Sequence, residues 1–104
     1  MLYITEQYKT NSIISDDVMV KRGGVLITHG IVSGNLTVNS GGKAVVHGIV
    51  SQNVFVAGEC VIYGTVNGTA DNSGIAEIYG TVERVTGQPC VIHQGAIVRN
   101  LSRD

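Results

Sequence analysis

An internal repeat is the feature that most restricts how this chain can fold. Aromatic or imidazole residues recur at intervals of 18, 16, 16 and 14 residues, and the first four each precede a glycine. The five residues are His29, His47, Tyr63, Tyr79 and His93. Self-similarity at a short period is typical of proteins in which one small unit is stacked repeatedly along an axis.

The repeat units are rich in Val, Ile and Thr and have no helical periodicity. Residues 18–35 and 36–53 match position for position without a gap, and from residue 54 the unit is two residues shorter. Such units are too short for two helices, whereas their period-two alternation, broken at Gly, Asn and Ser, is typical of short strands. We therefore predict an all-β, single-domain parallel β-helix (β-solenoid) of about five coils, right-handed like most parallel crossovers.

The extent of the repeat divides the chain into three parts. Residues 16–98 carry the repeat and form the predicted solenoid. Residues 1–15 lie outside it and are predicted to be an N-terminal cap or flanking segment, and residues 99–104 a polar C-terminal end. We expect the ends to act as caps, because an open coil exposes unpaired strand edges.

Alternation along the strands predicts which side chains point inward. Glu77 is the only charge in its strand and must face solvent, so Ala76 and Ile78 point inward and Tyr79 points outward. The same parity applied to every unit predicts three inward columns. They are Leu26, Ala44, Cys60, Ala76 and Cys90; Thr28, Val46, Ile62, Ile78 and Ile92; and Val32, Val50, Val66, Val82 and Val98.

The same parity places the five ring residues on one outer surface. Their outward neighbours include Val45, Val61 and Glu77 on one side and Ile31 and Ile49 on the other. We predict that these ten residues form a protein-binding face, because contiguous exposed apolar surface usually marks an interaction site and Tyr is favoured at interfaces. The alternative is a structural role, in which the side chains stabilise adjacent coils or are covered by residues 1–15.

Composition excludes several classes of protein. The chain is 43% hydrophobic and only 14% charged, which argues against disorder. Its net charge of −1 includes no basic block, so we expect no nucleic-acid partner. No apolar run approaches the ~18 residues of a membrane span, and no signal peptide is evident, so we expect a cytoplasmic protein without a membrane partner.

Motifs for catalysis, cofactors and metals are missing from the sequence. We find no nucleophile elbow and no phosphate-binding loop, and we expect no enzyme activity, no catalytic residue and no cofactor. His29 and His47 fall on adjacent coils, but no third ligand is in position, so we expect no metal. The enzyme alternative rests on a six-residue spacing that resembles left-handed β-helix acyltransferases. That spacing joins Leu26, Val32, Val38, Ala44, Val50, Val56 and Ile62.

Three glycine-containing corners carry a resemblance to a known family. Residues 30–34 read Gly-Ile-Val-Ser-Gly, residues 48–52 Gly-Ile-Val-Ser-Gln and residues 64–68 Gly-Thr-Val-Asn-Gly. They resemble the Gly-x-Val-x-Gly coils of bactofilins, bacterial β-helical proteins that polymerise end to end without nucleotide, and this implies a structural subunit that forms filaments. The pattern is also similar to small bacterial solenoids that serve as binding proteins, including immunity partners of secreted toxins.

Of these possibilities, we expect a non-enzymatic protein-binding solenoid first. Its partner would be another protein or a second copy of the chain. The concrete form of this expectation is a small cytosolic inhibitor or immunity protein that binds a toxin or other partner through the flat outer face. The alternative is the bactofilin-like filament subunit.

Overall fold

The structure, a computed structural model, describes residues 2–87 and 91–101, and for residues 100 and 101 the backbone only. Every regular element in this part of the chain is a short strand. In chain order the strands are β1 (Leu2–Ile4), β2 (Gln7–Thr10), β3 (Ile13–Ile14), β4 (Val18–Val20), β5 (Val25–Thr28), β6 (Ile31–Val32), β7 (Leu36–Val38), β8 (Lys43–Val46), β9 (Ile49–Val50), β10 (Val54–Val56), β11 (Glu59–Ile62), β12 (Thr65–Asn72), β13 (Ile75–Ile78), β14 (Thr81–Gly87), β15 (Val91–Ile92) and β16 (Ile97–Leu101).

The strands pair in parallel with their counterparts one coil away, and the stacked coils have three faces. Face A contains β1, β4, β7 and β10, face B contains β2, β5, β8, β11, β13 and β15, and face C contains β3, β6 and β9. β12 and β14 run through the corner from face C to face A and so belong to both, and β16 pairs with β14. The predicted all-β parallel solenoid is therefore confirmed, whereas its right-handed winding stays a prediction. The described residues include no helix able to cross a membrane.

The register between coils follows the length of each repeat unit. Leu36 pairs with Val54 at an offset of 18, but Lys43 pairs with Glu59 at an offset of 16. The two missing residues are therefore removed at the corner between faces A and B, before Gly58. Shortening a corner leaves the strand register intact, because the inward and outward parity of each strand is preserved.

The solenoid has about six coils, one more than the repeat predicts. β1, β2 and β3 pair with β4, β5 and β6, so residues 2–14 form a first coil of the solenoid. They lack the repeat pattern but continue its backbone pairing. At the other end, Arg99 lies within β16, so the final strand extends into the predicted polar end. Residues 102–104 lie outside the described part.

The inward columns form the core over most of the rod. Leu26, Ala44 and Cys60 are fully buried, and Ala76 keeps 2% of its exposure. In the second and third columns every predicted residue from the second to the fifth coil is also buried. The prediction is wrong at Ile92, which is 40% exposed because it lies in the last described coil and no further coil among the described residues covers it. Cys90 lies outside the described residues.

Side-chain oxygens satisfy backbone N–H groups at the corner between faces C and A. Asp17 Oδ1 accepts from the N–H of Asn35 at 2.8 Å, and Asn35 Oδ1 accepts from the N–H of Asn53 at 3.0 Å. Asn53 Oδ1 continues the series to the N–H of Thr69 at 2.9 Å. This polar ladder provides acceptors for backbone N–H groups that lie between two strands. These groups need partners because the corner is partly buried.

Candidate functional site

The five predicted ring residues lie one above another at the corner between faces B and C. In coils two to five, each ring directly follows a strand of face B, at β5, β8, β11 and β13, and the fifth follows β15. The structure therefore brings all five into one stack, which we call the ring column: His29, His47, Tyr63, Tyr79 and His93. Successive ring centroids lie 4.5, 4.8, 4.7 and 3.8 Å apart, and no pair of planes deviates from parallel by more than 14°.

The glycine after each ring allows the coils to approach closely enough for this stacking. A Cβ on Gly48 would overlap the carbonyl oxygen of Gly30, and one on Gly64 would overlap that of Gly48. Gly80 has the same relation to Gly64. Only glycine fits at such a point, because any side chain would force the two backbones apart. The His-Gly and Tyr-Gly pairs in the sequence therefore have one structural cause.

The rings present their edges, rather than their flat surfaces, away from the rod. Within the stack each ring covers the faces of its neighbours, so the exposed atoms are the ring edges with their hydroxyl or nitrogen groups. The lone pair of an imidazole nitrogen lies in the ring plane, and the planes of His29 and His47 are 2° from parallel. Their lone pairs therefore run side by side and do not converge on one ion. Among the described residues, no group of three or more metal-ligating side chains is present.

The outward neighbours of the ring column differ in their solvent exposure. Ile49 is 37% exposed, and Ile31 and Val45 are half-buried. Val61, which pairs with Val45 on one side and with Glu77 on the other, keeps only 9% of its exposure. We call the ring column together with these five neighbours the ring face. Its more accessible members include Tyr63 at 47% and Tyr79 at 38%.

Glu77 is the charged residue of the predicted face, and it lies beside the upper rings. Its Oε1 is 3.2 Å from Nε2 of His93. Burial within the stack raises the pKa of the Tyr79 phenol above its ordinary value, and the negative charge of Glu77 raises that pKa further. The Tyr79 hydroxyl therefore keeps its proton, and its role as a hydrogen-bond donor, to a higher pH than an ordinary tyrosine does.

Sequence reasoning missed the members of this surface that lie in the first coil. The offset of 18 between β2 and β5 places Asn11 beneath His29, and it places Lys9 in the outward column beneath Ile27. Ile13, which pairs with Ile31, is 63% exposed. Asn11 and Ser12 replace the ring and glycine of the repeat, so no motif marks this coil. The sequence marks the first coil only by the alternation of its apolar residues.

Comparison with protein-family models, curated proteins and solved structures finds no match to this chain. The likeness to bactofilin coils therefore rests on the repeat pattern alone.

Proposed function

We propose that this chain is a non-enzymatic protein-binding solenoid and that the ring face is its binding surface. The observation that carries the proposal is the continuous ring stack, which exposes a row of aromatic and imidazole edges in a mostly apolar surround. Surfaces of this composition resemble the cores of protein interfaces, which are enriched in aromatic residues and poor in charge. Glu77 is the acidic residue of the ring face, and its Oε1 lies 3.2 Å from Nε2 of His93.

The order of the rings before binding favours this role. Each inner ring is held between two others, so its side chain has little conformational freedom left to lose in a complex. Immobilising an ordinary flexible side chain costs about 0.5–1.5 kcal/mol on association. A preformed row of rings avoids most of this cost, and the hydroxyl groups of Tyr63 and Tyr79 add directional hydrogen bonds.

The concrete form that we propose is a small cytosolic inhibitor or immunity protein that covers a partner's surface. The rod is small, with principal extents of 31 × 24 × 21 Å. An open depression of about 420 Å³ lies at the corner between faces A and B, where it is lined mainly by corner residues such as Gly42 and Gly58 and by the Lys43–Glu59 ion pair. We expect no catalytic turnover at this depression, and assays for hydrolysis and acyl transfer test this expectation.

Affinity capture in the cell that encodes the chain tests the binding proposal. The variant Tyr63→Phe/Tyr79→Phe keeps both stacked rings and removes their hydroxyls, and Ile49→Asp adds a charge to an exposed position on the ring face. We expect both variants to recover a specific partner at least tenfold less efficiently than the natural sequence, with circular dichroism and melting temperature little changed.

The matched control for this experiment lies on another side of the rod. Thr37 is a half-buried, outward residue in the third coil on face A, so Thr37→Asp adds a charge at a comparable strand position away from the ring face. We expect Thr37→Asp to recover the partner normally. If the Ile49→Asp variant and the double phenylalanine variant both recovered the partner as efficiently as the natural sequence, the binding proposal would be contradicted.

A filament subunit is the second candidate, and the first coil supplies the observation in its favour. Tyr8 lies in the inward column beneath Leu26, yet it is 40% exposed, because the outer edge of the first coil carries no further strand among the described residues. An uncovered strand edge with an apolar interior is a template for another chain. Light scattering and electron microscopy distinguish the candidates: a filament subunit forms long, salt-resistant assemblies, whereas a binding protein stays a monomer or small oligomer.

A further inference from the structure

The outward column in the middle of face B has opposite charges near its two ends. From the first to the sixth coil it consists of Lys9, Ile27, Val45, Val61, Glu77 and Val91, and the strand registers connect all six. Three apolar residues separate Lys9 from Glu77, over a distance of about 19 Å at the usual inter-strand spacing. Val45 lies midway between the two charges.

We propose that the partner of the ring face in the isolated protein is a second copy of this chain, packed antiparallel across a two-fold axis at Val45. This inference deepens the proposed protein-binding role of the ring face and rests on it. A two-fold axis in the plane of the face and perpendicular to the rod maps each column onto itself and reverses the order of the coils. Lys9 of one copy then faces Glu77 of its partner, and the contact occurs twice.

Charge complementarity selects this arrangement over its neighbours. A parallel arrangement places Lys9 against Lys9 and Glu77 against Glu77, which is repulsive at both ends. If the two-fold axis lay half a coil away, between Val45 and Val61, the Glu77 carboxylate of one copy would face Ile27 of the other. That contact removes water from a charge without supplying a cation. Lys43 lies on the same axis at the border of the face, and its charge is compensated by Glu59, 3.5 Å away.

The surface available matches a small dimer. With principal extents of 31 × 24 × 21 Å, one side of the molecule presents about 500–750 Å², whereas a standard interface takes about 800 Å² from each partner. An interface somewhat smaller than this standard size supports association that depends on protein concentration. We therefore expect a reversible dimer that dissociates on dilution through the micromolar range.

Charge reversal at the two ends tests the arrangement directly. Sedimentation equilibrium of the full chain, at about 1–100 μM, should show a monomer–dimer equilibrium. Lys9→Glu alone and Glu77→Lys alone each turn two attractive contacts into repulsive ones and should weaken the dimer about tenfold or more.

Mixing the two charge variants in equal amounts should restore dimerisation. The Lys9→Glu chain carries acidic side chains at both ends of the column, and the Glu77→Lys chain carries basic side chains at both ends. In an antiparallel heterodimer each acidic end therefore faces a basic end, and both attractive contacts return. A mixture that remains as weakly associated as either variant alone would overturn the antiparallel arrangement.

Three further variants separate this arrangement from other causes. His93→Phe keeps a ring in the stack, removes the internal hydrogen-bond partner of Glu77 and should leave the dimer intact. Val45→Asp places two like charges on the axis and should abolish the dimer, whereas Thr37→Asp on face A should not. A chain that stays monomeric throughout, or single charge variants that dimerise like the natural sequence, would each overturn the dimer. None of these results affects capture of a different protein through the Tyr63 and Tyr79 hydroxyls, so the two proposals fail separately.

Discussion

The imidazole rings of His29 and His47 lie parallel, with centroids 4.5 Å apart and planes within 2° of each other. This contact is the lower end of a stack that continues through Tyr63, 4.8 Å from His47. His47 thus has a ring on both sides, whereas His29 has a ring on one side and Asn11 beneath it. The two histidines occupy equivalent positions in the repeat but differ in the number of stacked neighbours.

Removing a ring should therefore destabilise the protein according to its number of stacked neighbours. We expect His47→Ala to lower the free energy of unfolding by about 0.5–2 kcal/mol, because it loses two cross-strand ring contacts. His29→Ala loses one and should cost about half as much. Urea unfolding of both variants measures the difference, and equal losses would show that ring stacking contributes little beyond strand pairing.

The glycine that follows each ring should tolerate no side chain. In Gly64→Ala, the new Cβ would overlap the carbonyl oxygen of Gly48. Both atoms belong to the backbones of coils that are paired with each other, so the overlap is relieved only if the coils move apart. We expect a loss of about 3 kcal/mol or more in the free energy of unfolding. Asn67→Ala, an exposed position in the same coil, is the control and should change stability by less than about 0.5 kcal/mol. A stable Gly64→Ala variant would mean that the coils can separate locally without unfolding.

The polar ladder at the corner between faces C and A should contribute to stability through its acceptors. Asn53→Ala leaves the backbone N–H of Thr69 without the Asn53 Oδ1 atom that accepts from it. Leaving a partly buried donor unsatisfied costs about 1–3 kcal/mol, and thermal unfolding should show this loss. Asn53→Asp retains an acceptor oxygen and should recover most of the stability. An Asp variant as unstable as the Ala variant would contradict the role given to this hydrogen bond.

The core column that contains Ala44 should reject larger side chains. Ala44 is fully buried and pairs with Leu26 in the coil below and Cys60 in the coil above. Ala44→Leu should destabilise the fold by about 1–3 kcal/mol through overpacking. Val45→Leu, on the outward side of the same strand, should change the unfolding free energy by less than about 0.5 kcal/mol. Similar effects of the two changes would indicate that the interior adapts to added volume.

The Tyr79 phenol should ionise at a higher pH than an ordinary tyrosine. Burial within the stack is the larger cause of its raised pKa, and the charge of Glu77 adds to it. Because this pKa is higher in the folded chain than in the unfolded chain, the contribution of Tyr79 to stability is complete below the ordinary pKa of about 10. It is then lost as the pH rises through the raised value.

Phenolate absorbance, compared between the natural sequence and Tyr79→Phe, identifies the transition of this residue. Glu77→Gln should lower the pKa of Tyr79 towards the ordinary value without restoring it fully, because the effect of burial persists. An unchanged transition in Glu77→Gln would show that the carboxylate does not act on the ring.

The repeat determined the strand-forming units, the parity of each strand and the ring column, because these depend on local alternation and on the residue that each corner admits. Tertiary structure decided what depends on the neighbouring coil. The glycine is required because of the carbonyl oxygen beneath it, and the first coil has no described coil beneath it. Ser12 can therefore stand where later coils need glycine, and residues 2–14 join the solenoid without carrying its motif. Likewise, Val45 and Val61 have the same outward parity in adjacent coils, yet Val45 is half-buried and Val61 keeps only 9% of its exposure.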